Sequence, residues 1–395
     1  MRSAHHTFGF WAATLAFVVN MALIAVPTPL YVLYQQRDHF STIMLTVVYA
    51  VYAAGVIGSL FLGGHLSDWL GRKRVYVPAL LLNAASAVIF LAMPSLPGLF
   101  AGRIVSGVAV GLATPTATAY LAELHAGSRA GAGAPQRPQI VLAAANLGGI
   151  AIGPLIAGLL AAFAPQPLRL PYLVFIIALV VLTVLVALSP ETATPSVPRP
   201  RYRPQRIAVP RQARRPFFAA TATSLAAFAV YGIFNSLAPS FLAVTLHQDS
   251  HAVAGAVAFA VFAAGAAIQL ALSRAGLRAT LRVAPLILIP GLALLSAGMW
   301  LAILPLFIIG AAVAGAGAAL AFRGGLSAAA ASAPPWSRAE VLSGFFLGTY
   351  IGLSVPAVIL GIATQYVSPR SAMLVFSVLV AVAVVGCTRV LRSAD

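Results

Sequence analysis

Twelve apolar runs, each about 20 residues long and set apart by short polar gaps, constrain this chain more than any other feature. They lie near 10–34, 44–66, 75–93, 97–122, 139–163 and 170–188, then near 217–245, 252–272, 283–303, 306–329, 340–364 and 371–390. A run of this length matches the hydrocarbon thickness of a bilayer when wound as an α-helix, which satisfies every backbone polar group internally. Only 8% of the residues are charged, against roughly a quarter in soluble domains, so a water-soluble enzyme is excluded. The first run has a weakly basic flank and is too long for the core of a cleavable signal. The expected fold is an all-α polytopic membrane protein with twelve transmembrane helices.

The charges say which way the helices point. The chain carries 24 basic and 7 acidic side chains, a net charge of +17. Its arginines sit in the gaps between apolar runs rather than on a soluble face, so nucleic acid is not an expected partner. With the N-terminus in the cytoplasm, 20 basic residues fall inside and three (Arg37, Arg169, Arg370) outside, with Arg103 inside a span. The positive-inside rule selects that orientation and puts both termini in the cytoplasm. A proline-rich stretch at 189–216 carries seven arginines and reads as an extended cytoplasmic linker held near anionic lipid. It divides the chain into 1–188 and 217–395, with six spans each. The halves echo each other: Pro29 and Pro154 match Pro239 and Pro356 at offsets of roughly 200–210 residues, the pattern of parallel six-helix repeats around a midplane site. A lone Cys387 excludes an internal disulfide, and His5 and His6 have no further ligands beside them. No phosphate-binding loop occurs, and neither a cofactor nor a metal is expected.

The loop after span 2 reads Gly64-His65-Leu66-Ser67-Asp68-Trp69-Leu70-Gly71-Arg72-Lys73-Arg74. Gly71 suits a tight turn between helices, and Asp68 lies one helical turn from Arg72. This run resembles motif A of the major facilitator superfamily, G-x-L-x-D-x-x-G-R-[KR], at every defining position. The resemblance implies two six-helix bundles and a conformational latch that docks on the second half when the carrier opens outward. It also implies an acid at the inner end of span 4, here Glu123. Ser337-x-x-Glu340 reads as a capping box whose helix start would receive Asp68. The expected latch therefore comprises Gly64, Asp68, Gly71, Arg72, Glu123 and Glu340; a purely topogenic charge cluster is the other reading.

Span 4 carries Arg103-x-x-x-Gly107-x-x-x-Gly111, the spacing of the superfamily's motif B. An arginine inside a span is costly and either faces a cavity or snorkels to the interface; both readings stand. Span 5 holds Gly149-x-x-x-Gly153-Pro154-x-x-Ala157-Gly158, similar to the superfamily's antiporter motif with alanine in place of one glycine. That likeness implies export, while the residues themselves say only that the helix bends and packs closely. Pro190-Glu191-Thr192 resembles a common superfamily ending of span 6.

Candidate substrate residues are Asn20, Tyr31, Tyr34, Asn146, Tyr231 and Asn235, each asparagine having helix packing as its alternative. None of the seven acids falls in the middle of a span, and Asp38 and Glu123 remain as candidates for proton coupling. A cavity without acids near Arg103 suits neutral or anionic compounds better than permanent cations. The expectation is a monomeric secondary transporter resembling multidrug-efflux members, exporting drug-like or amphiphilic small molecules across the plasma membrane with protons as coupling ion. An importer or facilitator of a sugar or small metabolite is the alternative, and a non-transporting receptor a more remote one.

Overall fold

The computed structural model describes residues 2–64, 66–128, 137–193, 209, 211–333 and 338–393. In the N-terminal part the helices are α1 (Arg2–Ala25), α2 (Tyr31–Asp38), α3 (Thr42–Gly63), α4 (Leu66–Leu70), α5 (Arg72–Ala92), α6 (Leu96–Gly127), α7 (Arg137–Phe163) and α8 (Leu170–Ala187). The C-terminal part holds α9 (Arg214–Ser236), α10 (Ala238–Leu246), α11 (His251–Ala271), α12 (Leu277–Leu301), α13 (Leu304–Ser332), α14 (Arg338–Ala363) and α15 (Pro369–Ser393). All but the short α2, α4 and α10 are long and apolar enough to cross a bilayer, which makes twelve spans among the described residues. Most of the linker, and Ser337 of the expected capping box, lie outside the described residues.

Two spans expected to be continuous are broken, at equivalent places. The first, expected over 10–34, ends as α1 at Ala25 and resumes as α2 at Tyr31. Val26 and Thr28 donate to Leu23 and Ala25, three residues back instead of four. The cause is Pro27 and Pro29, which lack N–H groups and push the preceding residues out of the helical region. The seventh span, expected over 217–245, breaks at Leu237 just before Pro239. Each short helix ends in a left-handed histidine, His39 (φ 51°) or His247 (φ 52°). Each next span starts from a serine cap: Ser41 Oγ accepts from Met44 N at 3.3 Å and Ser250 Oγ from Val253 N at 3.4 Å. The repeat visible in the proline positions is thus a repeat of local backbone geometry.

Within the N-terminal part α6 packs against α1, α3 and α5, while α1 also packs on α7 and α8. In the C-terminal part α13 packs against α9, α11 and α12, and α9 also on α14 and α15. The two parts meet mainly along α7 with α11 and α3 with α14.

Both seams are tight at the end remote from the arginine-rich loops. A Cβ on Gly158 of α7 would run into His251 O and lie 3.0 Å from Gly255 Cα of α11. A Cβ on Gly361 of α14 would lie 2.9 Å from Thr46 of α3. Small residues let helices approach this closely in lipid, where dispersion and shape replace the hydrophobic effect as the glue. Thr28, in the first helix break, donates to Asn235 O beside the second at 3.1 Å. At the arginine-rich end the α3 and α14 helices part around a cavity of about 200 Å³, whose lining includes Leu60, Phe61, Gly64, Phe346 and Leu347. The α3–α14 junction is therefore closed at the far end and holds a cavity toward the arginine-rich end.

Candidate functional site

At the arginine-rich end one guanidinium organises a cluster. Gly71 (φ 105°) turns the chain from α4 into α5, in a region that only glycine occupies without strain. The turn presents Arg72, whose Nη1 donates to Asp68 Oδ1 at 2.5 Å and to Ser67 Oγ at 2.9 Å. Its Nη2 and Nε reach Glu123 Oε1 at 2.8 and 3.1 Å. Asp68 and Glu123 therefore grip the same fork from α4 and α6, and the Arg72 side chain is only 11% exposed.

Glu191, just beyond α8, completes the cluster and was not among the expected latch residues. Its carboxylate accepts from Arg72 N at 2.9 Å and Lys73 N at 3.0 Å, capping the start of α5. Lys73 Nζ returns the favour to the end of α8, donating to Ala187 O and Ser189 O at 2.7 Å each. Thr192 Oγ1 donates to Glu123, and Tyr120 OH to Pro190 O at 2.7 Å. The Pro-Glu-Thr ending is thus what ties α8 to the turn. Glu340 is half-buried in the first turn of α14 and takes no part in the ion pairs among the described residues. Asp68 is 59% exposed, and Gly64 caps α3 at the edge of the inner cavity.

The cluster gives a direct test of the turn. Replacing Gly71 by alanine forces a Cβ to within 2.9 Å of Glu191 Oε2 at a φ that side chains avoid. The purified protein should lose about 1–3 kcal/mol of stability, read as a lower thermal midpoint. An unchanged midpoint would show that the turn carries no strain.

The second constellation surrounds Arg103. This side chain is 1% exposed, so it does not snorkel. Its Nη1 donates to Ile24 O at 2.6 Å, the carbonyl left without its usual helical donor by the break after α1. Its Nε donates to Tyr31 OH at 2.8 Å, and Nη2 reaches the same hydroxyl. The guanidinium carbon lies 5.4, 5.7 and 6.0 Å from the ring centres of Tyr31, Tyr49 and Tyr52. Such contacts contribute about 0.5–2 kcal/mol each when desolvated. Tyr49 and Tyr52 lie on α3, which packs on α14 and so joins the Arg103 cage to the opposite part of the molecule.

The remaining expected residues separate into packing and contact roles. Asn20 is fully buried and accepts from Asn83 Nδ2 at 2.8 Å, in a polar knot with Ser86 and Ser106 between helices. Tyr34 OH donates to Tyr172 OH at 3.2 Å, and Tyr231 OH to Gly315 O at 2.8 Å while its ring stacks on Phe262; both are core side chains. Asn146 on α7 is half-buried, with no side-chain hydrogen bond among the described residues. Gly107 and Gly111 pack on α3, and Gly149 and Gly153 on α1, with Pro154 one residue on and Gly158 at the far seam. Asp38 pairs with Arg37 at 2.7 Å at the far end; that hydrogen bond holds its carboxyl below the usual carboxylate range.

The family model described as Major Facilitator Superfamily matches residues 10–305. Over 115 residues the chain is 34% identical to the arabinose-proton symporter of Escherichia coli (strain K12), covering 28% of this chain and 23% of that protein. Over 92 residues it is 32% identical to the probable inositol transporter 2 of Arabidopsis thaliana, covering 22% and 16%. The chain thus spans less than a quarter of the length of these curated relatives. Among solved structures it resembles a POT family transporter in complex with 5-aminolevulinic acid (TM-score 0.75, 12% identity, 96% and 94% of the two chains). It also resembles the human organic anion transporter MFSD10 (TETRAN), with TM-score 0.66, 16% identity and 98% and 99% coverage.

Proposed function

This chain belongs to the major facilitator superfamily and is a secondary transporter of small molecules; from that premise we propose that it moves a small polar metabolite by alternating access. The observation that carries this reading is an asymmetry between the ends: a backbone approach of Gly158 to His251 and Gly255, and a close contact of Gly361 with the Thr46 side chain, shut the far end, while a cavity of about 200 Å³ lies between α3 and α14 at the arginine-rich end. A substrate site between the two groups of helices would then face the cytoplasm in this state and the far side after the seams exchange. In the complementary state Asp68, exposed here, would dock at the start of α14, which gives the charged turn its latching role.

The sugar and inositol relatives support a hydrophilic cargo and the importer or facilitator reading over drug efflux. Gly149 and Gly153, part of the run that suggested export, pack α7 on α1, and the Pro154 carbonyl faces Gly255 of α11. Uptake into proteoliposomes of a labelled panel of sugars, polyols and organic acids, against the efflux of a hydrophobic dye, tests this. Dye efflux with no uptake of any polar solute would reverse it.

Asp38, paired with Arg37 at the far end and outside the lining of the inner cavity between α3 and α14, is on this reading not the group that carries protons with substrate. Because its folded-state pKa is lowered, protonation sets in only on the acid side of an ordinary carboxyl. Asp38→Asn should leave the pH profile of uptake between pH 5.5 and 8 unchanged (the window lies above the ~3.9 of a free aspartate). A displaced profile would make Asp38 a coupling group.

A further inference from the structure

Arg103 is a cation sealed about 10 Å below the far end of α6, seven residues from Leu96 at about 1.5 Å each. None of the chain's seven acids lies in the middle of a span. Among the described residues the ion pairs are Arg37 with Asp38 and Arg72 with Asp68 and Glu123, so no carboxylate balances Arg103. Tyr31 and the Ile24 carbonyl accept three of its five N–H groups, which leaves two donors without an acceptor among the described residues. Capping the end of α1 needs no charge; a neutral donor would serve. A cation in the hydrocarbon layer costs at least about 2.5 kcal/mol even on lenient scales.

Position adds to this. Arg103 lies over the ring of Tyr49 on α3, one of the helices at the junction between the two groups. Thr28, which bonds Asn235 across that junction, sits in the same helix break that Arg103 caps. When the far-end seam opens, the Thr28–Asn235 bond must part, and the guanidinium is the charge next behind it. A lone fixed cation attracts anions, repels cations and presents a planar fork that fits a carboxylate. The rings of Tyr49 and Tyr52 offer stacking faces for the organic remainder.

We infer that Arg103 is a substrate-binding and charge-selecting residue, and that the cargo is a small organic anion bearing a carboxylate, gripped between Arg103 and the Asn235 side of the junction. This rests on the carrier reading above and adds the cargo's charge to it.

Two size-matched probe sets decide it: gluconate, sorbitol and glucosamine; and benzoate, benzyl alcohol and benzylamine. Ligand-induced thermal stabilisation of the purified protein is measured for wild type, Arg103→Lys and Arg103→Gln, and uptake into vesicles for wild type. The expected result is that the anion of at least one set binds wild type about tenfold or more tightly than its neutral and cationic counterparts, the scale of one charge-assisted hydrogen bond. Arg103→Lys should weaken that preference and Arg103→Gln abolish it. Should Arg103→Gln not fold, the ranking in wild type decides alone. Equal or better binding of the alcohol or amine, an anion preference that survives in Arg103→Gln, or no stabilisation by either carboxylate overturns the inference. Anion binding that needs Arg103 without any vesicle uptake would remove the carrier reading and leave this one standing; uptake of sorbitol alone would do the reverse.

Discussion

Replacing Gly158 by valine should reduce transport about fivefold or more at normal expression. The substitution drives a branched side chain into His251 O and the backbone of Gly255, so the far-end seam closes only by displacing α7 from α11. Overpacking of this kind costs about 1–3 kcal/mol. Charged against one state of a two-state carrier, that shifts the population by about fivefold to more than a hundredfold. Gly255→Val should act alike, because the two glycines form one contact and the second substitution meets Pro154 O. The effect belongs to conformation rather than folding, and labelling separates the two. Cys387 is the chain's only cysteine, so a Cys387→Ser, Thr28→Cys background reports the seam alone. An impermeant maleimide added on the far side should modify position 28 readily in the Gly158→Val protein and slowly with glycine present. Wild-type transport and unchanged labelling would mean that this seam does not close during the cycle.

Arg72→Gln is the second substitution with a large expected effect. It removes the shared partner of Asp68 and Glu123 and leaves two carboxylates facing a neutral amide. Hydrogen bonds to charged groups contribute about 1.5–3 kcal/mol each. Partial exposure of Glu123 and Asp68 discounts that figure, so a total near 2 kcal/mol is expected. Turnover should fall more than tenfold, with a lower thermal midpoint. Arg72→Lys should rescue little, because an ammonium cannot serve Asp68, Ser67 and Glu123 from one rigid fork. Asp68→Asn should cost less stability than turnover, since Asp68 is largely exposed here and contributes one bond. Full activity of the lysine variant would show that only charge, not geometry, matters at this turn.

The separate parts of the molecule were unequally legible beforehand. The spans were plain because apolar length is a local property, and the motif turn was plain because its glycine and charges lie within eleven residues. Glu191 was invisible as a partner: it reaches Arg72 across 119 residues of sequence, and a three-residue ending gives no hint of which helix it caps. Asn20 carries both a cavity and a helix-packing reading and lies in a knot with Asn83, while Tyr34 and Tyr231 turn inward to Tyr172 and Gly315. A polar side chain in an apolar run announces that it needs a partner, but the run itself does not say which. The proline breaks are intermediate, since Pro27 and Pro29 marked the first span for bending without showing that the helix stops and restarts.

Taken alone, the amino-acid order determined twelve runs long and apolar enough to cross a bilayer and the charged turn, because hydropathy and turn chemistry act over a few residues at a time. Tertiary structure decided which end is shut, that Arg103 caps a broken helix instead of reaching the interface, and that Glu191 holds the latch turn. Those outcomes depend on how close two helix backbones come and which donors face which acceptors, distances that arise only when the helices pack.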